Sequence, residues 1–419
     1  MNAEVCIKKS YDVICGAAEE YIAPVIYSFA RFIIGRVRAL GIKRLYFFSR
    51  DGYTVMRAAE EICRKENISL EMSYFYCSRY SLRMAAYRFK DSSAYDRLFN
   101  ESYRMTAKTV LMRAGFETDE RRLVYDELGF LSDEEKLMNR NDFRSFCSGL
   151  KTSAEFWKIL SEKSDTAYYL TADYVRQCGM DKFSHIGVVD LGWTGSMQLT
   201  LKRLLRSLSI KCSVTGFYLG MLEEPEMSEG NTYETWLFEG GRDCFTKAWF
   251  CQNVLECLCT APHGMTVGYV KKDGVICPVF AENENDPELV SRVSDIITDF
   301  ARQASGYGYI EKKDKKNALN KLKKLMFTPD EKIAESFGAF GFCDDVSESY
   351  HGSLCGNAAP KDIISCILRK KGTVRPYWFY GAVSHCGRFW RNIAGYLYYF
   401  SEAARYFIIA VKKRGRNNG

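Results

Sequence analysis

The stretch LYFFSRDGYTVM, residues 45–56, begins as an uninterrupted apolar run and then changes to Ser49, Arg50, Asp51 and Gly52. A run without polar alternation predicts a strand that is covered on both faces, as in a parallel α/β sheet. The next segments, GYTVMRAAEEICRK and LEMSYFYCSR, predict a helix and a second strand. This order predicts a crossover unit, in which the carboxyl end of the first strand is the expected place for a site.

Flanking patterns extend this α/β reading. Residues 22–40 carry apolar side chains at three- and four-residue intervals, which predicts an amphipathic helix leading into the first strand. The segment HIGVVDLGWTGSMQLTLKRLLRSL predicts a short strand at 186–189 followed by a helix, and SVTGFYLG predicts another strand. Residues 261–280 predict a hairpin that turns at Asp273 and Gly274. The polar range from about 90 to 180 predicts a helical insertion.

Composition limits the classes of function. The 419 residues are 47% hydrophobic, which supplies a real core, and the net charge of +7 is too small to imply an extended nucleic-acid surface. We therefore expect no nucleic acid as a partner. The 16 cysteines are scattered and only four histidines are present, so a structural zinc site is not expected. The start, MNAEVCIKKSYD, lacks the apolar core of a secretory signal, which favours a reduced cytoplasm.

A second loop is predicted to follow the 186–189 strand, as DLGWTGS from Asp190 to Ser196. Glycines allow a tight bend, several backbone amides can converge there, and a following helix contributes partial positive charge, so the loop suits a phosphate group. Asp190 cannot hold a phosphate, but its carboxylate could accept hydrogen bonds from sugar hydroxyls or orient a Mg²⁺ ion.

This loop resembles the phosphoribosyl-diphosphate loop of type I phosphoribosyltransferases. Asp190 matches the second acid of that motif, and Thr194 and Gly195 match its Thr-Gly pair, with Ser196 as a substitute hydroxyl. Val189 stands where the motif has its first acid. The resemblance implies a phosphoribosyltransferase-like, Rossmann-like core.

The same resemblance assigns the first loop to the diphosphate. Arg50 would bind diphosphate oxygens, Gly52 would allow close backbone approach, and Asp51 would hold water on Mg²⁺. Arg79, after the second strand, would supply a further cation. The structural alternative is that Arg50, Asp51 and Arg79 form a salt-bridged turn.

A second resemblance spans about residues 20–285. LYFFSRDGYTV, YFYCSRYSL, VVDLGWTGSMQ, GFYLG and APHGMTVGY together resemble a domain of bacterial surface-polysaccharide gene clusters. Such proteins are often labelled HAD-like, that is, haloacid-dehalogenase-like, because a phosphatase domain commonly precedes this one. We expect that phosphatase domain to be absent here. Aligning FFSRDGYT with the dehalogenase motif puts Ser49 in the nucleophile position, where the chemistry requires a carboxylate.

The two resemblances together imply transfer of ribose 5-phosphate from phosphoribosyl diphosphate to a glycan or lipid-linked glycan acceptor, with a separate phosphatase acting afterwards. Glu256 and His263 are the candidate bases for the acceptor hydroxyl, and each has a structural alternative, a buried paired carboxylate or a loop histidine. The competing functions are a HAD-like hydrolase and a catalytically silent scaffold of a polysaccharide-assembly complex.

The chain is expected to divide into an α/β domain at 20–285 and a mainly helical region at 286–419. Within the latter, residues 390–411 place apolar side chains on one helical stripe, and KKRGR follows at 412–416. Aromatic residues beside such a stripe and a basic terminus predict contact with the inner face of the plasma membrane as a peripheral protein. The alternatives are a spanning helix and an ordinary docked helix.

Overall fold

The computed structural model of the protein describes residues 3–89, 95, 98–99, 101, 105–225, 230–282, 286–306, 308–338, 341–342, 352–355, 360–368, 375–386 and 388–417. Five parallel strands form its central sheet: β1 (Arg44–Phe48), β2 (Glu71–Phe75), β3 (His185–Trp193), β4 (Ser213–Met221) and β5 (Asn231–Phe238). Their spatial order is β2-β1-β3-β4-β5. The predicted α/β class with a parallel sheet is therefore confirmed.

Two short antiparallel pairs accompany the sheet. Strands β6 (Thr266–Lys272) and β7 (Val275–Phe280) form the predicted hairpin, which turns at Asp273 and Gly274, both with positive φ. Strands β8 (Gly341–Phe342) and β9 (Gly352–Ser353) form a two-residue pair.

Helices cover both faces of the sheet. The amino-terminal helices are α1 (Ala3–Ala17), a π-helical turn (Ala18–Ile22), α2 (Ala23–Ala39), α3 (Gly52–Lys65) and α4 (Arg79–Ala86). Between β2 and β3 lie α5 (Ala107–Arg113), α6 (Thr118–Leu128), α7 (Arg140–Thr152) and α8 (Ala154–Gln177), with 3₁₀ turns at Tyr87–Phe89 and Met180–Lys182. Next come α9 (Ser196–Ser207), α10 (Cys244–Trp249) and α11 (Gln252–Leu258). The carboxyl-terminal helices are α12 (Pro287–Ala304), α13 (Glu311–Phe327), α14 (Glu331–Gly338), α15 (Pro360–Ile367), α16 (Phe379–Ala382), a 3₁₀ turn (Val383–His385) and α17 (Arg388–Asn417).

The position of strand β1 in the sheet explains why its residues are apolar. Leu45 and Phe47 point to a cluster formed with α2, α3 and α12, while Tyr46 and Phe48 point to the opposite cluster, formed with α8 and α9. All four side chains have no exposed surface. A central strand covered on both faces has no position for a polar side chain, so the uninterrupted apolar run follows from its place in the sheet.

The helix before β1 is more buried than an amphipathic stripe requires. Most side chains of α2 are buried, including Val25, Phe29 and Ile33. Within the described residues, Ser10–Ala39 is the one stretch long and apolar enough to cross a membrane, and 72% of its apolar window is buried inside the fold. That degree of burial is typical of a core helix.

The insertion and the carboxyl-terminal region differ in how they join the sheet. The described part of 90–180 is helical and has its own apolar cluster, which includes Val110, Phe143 and Phe156. By contrast, α12 and α13 pack against α2 and share the cluster of the first sheet face. The ranges 20–285 and 286–419 are thus built around a common core.

Candidate functional site

The candidate site lies where the chain leaves β1 and β3 in opposite directions. Strand β1 lies between β2 and β3, so the crossover through α3 leads to one side of the sheet and the crossover through α9 leads to the other. Helix α3 packs on the first face and α9 on the second. Such a switch point opens a crevice at the carboxyl ends of the two strands, and open α/β sheets bind ligands there. The register, with Phe47 opposite Val189, brings the two predicted loops to the same edge.

The first loop is fixed by backbone contacts. Ser49 is buried; its Oγ donates to the carbonyl of Cys77 at 2.7 Å and accepts from the Cys77 amide at 3.1 Å. The Ser49–Arg50 peptide bond is cis. A Cβ on Gly52 would lie 3.0 Å from the Phe47 carbonyl carbon, so this glycine is explained by packing against its own strand. Arg50 and Asp51 are the residues of the loop left at the edge of the crevice, and both are half-buried.

Asp51 precedes α3, and its side chain makes no capping hydrogen bond to that helix. The pKa of its carboxyl group is raised well above the usual range, first by burial and then by the negative charges of Glu256 and Asp190. The positive charges of Arg50 and Arg79 act in the opposite direction. The three acids therefore lie close enough to repel one another.

Asp190 belongs to β3 itself. The prediction that the strand ends at residue 189 was wrong, because pairing with β4 continues through Asp190 and Gly192 to Trp193, which lies opposite Met221. The Leu191 amide donates to Asp190 Oδ1 at 2.9 Å. Burial raises the pKa of the Asp190 carboxyl to about 7 against that hydrogen bond, with a further rise from Glu256.

The end of β3 and the start of α9 depend on two glycines. Gly192 has φ 126°, and a Cβ there would lie 2.1 Å from the Gly220 oxygen, so no other residue fits this position. Gly195 has φ 66° and immediately precedes α9. Thr194 is exposed and its Oγ1 donates to Ser196 Oγ at 3.3 Å. The predicted Thr-Gly-Ser group is thus placed at the amino end of a twelve-residue helix.

A contact that the sequence analysis missed brings Glu256 to this turn. Trp193 has φ 80°, and its Nε1 donates to Glu256 Oε1 at 2.6 Å. The Trp193 ring also packs against Phe250. Trp193 is therefore the residue that fixes one oxygen of the carboxylate on α11 beside the two aspartates. The sequence signal for this contact was the tryptophan in the stretch GWTG, where small or polar residues are more usual.

His263 lies near the first loop, since the charge of Arg50 acts on its pKa. Its Nδ1 donates to the Gly264 carbonyl at 2.8 Å, so the neutral ring accepts at Nε2 from the Tyr74 hydroxyl at 2.9 Å. Burial lowers the pKa of His263, the Gly264 hydrogen bond raises it, and the Arg50 charge lowers it. With both ring nitrogens engaged, His263 is less suited to act as a base than Glu256. The hydrogen bond between Tyr74 and His263 was not predicted, because the two residues lie 189 positions apart in the sequence.

Arg79 is an exposed side chain in the first turn of α4. Ser78 fixes the start of that helix, since its Oγ accepts from the Ser81 amide at 3.0 Å and donates to the Thr266 carbonyl at 2.6 Å. The charge of Arg79 affects the pKa values of both Asp51 and Asp190, which places Arg79 at the same edge.

The described residues include no group of three or more His, Cys, Asp or Glu side chains arranged to hold a metal ion. Mg²⁺ in proteins is often held by only one or two carboxylates, with water and substrate phosphates completing its shell. Asp51 and Asp190 suit that mode, since burial and, after it, the charge of Glu256 disfavour the ionised form of each carboxyl group, and a cation would favour it.

No protein-family model matches the chain, and no curated protein matches it in sequence.

Proposed function

We propose that the crevice binds phosphoribosyl diphosphate with Mg²⁺ and transfers ribose 5-phosphate to a hydroxyl of a glycan or lipid-linked glycan acceptor, in surface-polysaccharide (capsule or O-antigen) biosynthesis. The observation that carries the proposal is the meeting of Arg50–Asp51 with Asp190–Ser196 at the switch point between β1 and β3. A sugar carrying phosphate groups at both ends needs two anion-binding loops, and the two loops at this edge suit that requirement.

Each part of the donor has a candidate partner. The 5-phosphate suits the turn before α9, where backbone amides and the hydroxyls of Thr194 and Ser196 converge beside Gly195. The diphosphate suits Arg50 and, at the exposed rim, Arg79. Asp190, within the carboxyl-terminal half of β3 and between the two loops, can accept hydrogen bonds from ribose hydroxyls.

The carboxylates also suit the metal. Asp51 and Asp190 would hold Mg²⁺ together with donor oxygens and water. When bound, the ion supplies positive charge that stabilises the departing diphosphate. Burial and, after it, the charges of neighbouring acids raise the pKa values of both aspartates, and a bound cation would offset that cost.

The bond between ribose C1 and the diphosphate oxygen breaks, and the electron pair leaves with the diphosphate, next to Arg50. A bond forms between C1 and the acceptor oxygen. The acceptor proton passes to Glu256, whose other oxygen is positioned by Trp193. The product keeps its 5-phosphate, which a separate phosphatase would remove. The reaction belongs in a reducing cytoplasm, where free cysteines remain thiols.

A HAD-like hydrolase gains no support from the first loop. Ser49, at the nucleophile position of that alignment, is buried and bonded to both backbone groups of Cys77. A catalytically silent scaffold, unlike the transferase, is not expected to bind phosphoribosyl diphosphate.

Isothermal calorimetry with phosphoribosyl diphosphate and Mg²⁺ tests the proposal. We expect saturable binding that Arg50→Ala weakens by roughly tenfold or more, since a charge-assisted contact contributes about 1.5–3 kcal/mol. Arg122→Ala is the matched control, because Arg122 is an exposed arginine of the insertion that pairs only with a neighbour on its own helix among the contacts described. No binding by the wild type, or equal affinity of the wild type and Arg50→Ala, would refute the donor site.

A further inference from the structure

Helix α17 turns an apolar stripe toward solvent. Its exposed side chains are Trp390, Ile393, Tyr396, Leu397, Phe400, Phe407, Ile408, Ile409 and Val411, each between 37% and 64% exposed. The neighbouring α15 and the turn after it add Ile364 and Leu368, which are 52% and 62% exposed. An apolar surface of this extent on a folded protein marks a site of interaction.

The opposite side of α17 is held against the protein. Ala394 and Ala403 are buried, and the Tyr398 ring stacks on Phe379 with centroids 3.8 Å apart. Glu402 is also buried, and its Oε2 lies 2.9 Å from Arg405 Nη2. Rotating the helix to turn the stripe inward would expose Glu402 and break the stacking of Tyr398 on Phe379. The outward face is therefore the fixed orientation of the docked helix.

Positive charge borders the same face. A groove of 510 Å³ lies between α13 and α17 and is lined by Asn320, Lys323, Lys324, Phe327, Thr328, Tyr396 and Tyr399. Both lysines are exposed. Lys323 Nζ lies 5.7 Å from the centroid of the Phe327 ring, and Lys324 Nζ lies 3.2 Å from Glu20 Oε1. Beyond Val411 the sequence continues with Lys412, Lys413, Arg414, Gly415 and Arg416.

We propose that this face binds an anionic lipid surface, with the apolar stripe of α17 in the interfacial layer and the Lys323 groove taking lipid phosphate groups. An amphipathic helix with aromatic residues beside cations suits the boundary between headgroups and acyl chains. The inference stands independently of the phosphoribosyltransferase proposal, because none of its residues belongs to the β1–β3 crevice.

The residues favour a lipid surface over the other possible occupants. A protein interface is depleted of lysine at its centre, whereas here exposed lysines and aromatic side chains line one groove. A spanning helix needs about 20 mainly apolar residues, whereas Glu402 and Arg405 interrupt the apolar run of α17, which packs one side on the protein. The membrane contact is therefore peripheral.

Flotation of the whole chain with vesicles tests the inference. The apolar variant is Leu397→Glu/Phe400→Glu/Phe407→Glu, matched by Leu131→Glu in the insertion, where the native side chain is 99% exposed. The charge variant is Lys323→Glu, matched by Lys158→Glu on α8, whose side chain is 62% exposed. All these side chains lie at the surface, and unchanged thermal melting will show that each variant folds.

We expect flotation with vesicles of phosphatidylcholine and phosphatidylglycerol, weaker flotation with phosphatidylcholine alone, and no flotation of the apolar variant. Lys323→Glu should weaken binding to the anionic vesicles by about fivefold or more, and both controls should bind as the wild type does.

Equal binding to neutral and anionic vesicles would refute the claim that the Lys323 groove contributes by binding anionic lipid. Loss of flotation on addition of inorganic phosphate would assign the groove to a soluble phosphate. Absence of flotation, together with a change from dimer to monomer in the apolar variant by light scattering, would assign the face to a second copy of the chain.

Discussion

Replacing Asp190 by asparagine should make the ligand-free protein more stable at alkaline pH while weakening donor binding. The carboxyl group is 7% exposed and lies near two other acids, so its ionised form is unfavourable in the empty crevice. Asparagine has nearly the same shape, and its Oδ1 can still accept the hydrogen bond from the Leu191 amide. The substitution therefore removes a charge with little change in packing.

The size of the effect follows from the pKa. In the unfolded chain an aspartate loses its proton near its ordinary value of 3.8, whereas folded Asp190 keeps its proton up to about pH 7. Between these values the unfolded state binds fewer protons than the folded state, so stability falls as pH rises from about 4 to 7 and is constant above. The difference corresponds to roughly 4 kcal/mol as an upper limit, because the Asp190 carboxyl interacts with the neighbouring acid Glu256 and the two charges are not independent.

Urea unfolding of the wild type and Asp190→Asn at about pH 5 and about pH 8 measures this effect. We expect the variant to gain about 1–3 kcal/mol at the higher pH and much less at the lower pH. Calorimetry with the donor and Mg²⁺ should show weaker binding by the same variant. A variant that is less stable than the wild type at pH 8, or equally stabilised at both pH values, would refute the conclusion that the ionised Asp190 carboxylate destabilises the folded chain.

Two further substitutions separate chemistry from architecture. Glu256→Gln should slow transfer by about 100-fold or more while the dissociation constant of the donor stays within about threefold, since the residue is assigned as the base; parallel losses of rate and affinity, measured by product formation and calorimetry, would argue against that role. Gly192→Ala should destabilise the fold by about 2 kcal/mol or more, because its Cβ would lie 2.1 Å from the Gly220 oxygen at φ 126°. Gly268→Ala in β6 is its control, as no atom lies within 4 Å of the added Cβ, and urea unfolding compares the two.

The sequence predicted those parts of the fold that depend on local patterns. Strands β1, β2 and β4 are short runs with high apolar content, and the hairpin turn has a residue type suited to each positive φ. Strand β5 was missed, because residues 232–235 in the middle of Asn231–Phe238 are exposed or half-buried and its pairing partner, β4, is not apparent from the segment itself. The full length of β3 was missed for a related reason, since Gly192 continues the strand only because Gly220 lies opposite.

The candidate site was predictable in its charged residues but not in what positions them. Arg50, Asp51 and Asp190 end apolar runs, which is a signal that a sequence carries. The link from Trp193 to Glu256 joins residues 63 positions apart, and no spacing rule predicts it. The stripe of α17 was also visible in the sequence, but its outward direction depends on packing at Tyr398 and Glu402.

The charge balance of the crevice favours a ligand site over a salt-bridged turn. If Arg50 and Arg79 served to neutralise Asp51 and Asp190, the pKa values of these acids would be held below their usual range, as happens for Glu134 beside Arg121 in the insertion. Instead both acids have raised pKa values, because burial and mutual repulsion with Glu256 outweigh the two arginines. An internal salt bridge would stabilise the folded chain, whereas an ionised carboxylate in this environment costs stability. We propose that a metal ion bound together with the donor offsets that cost.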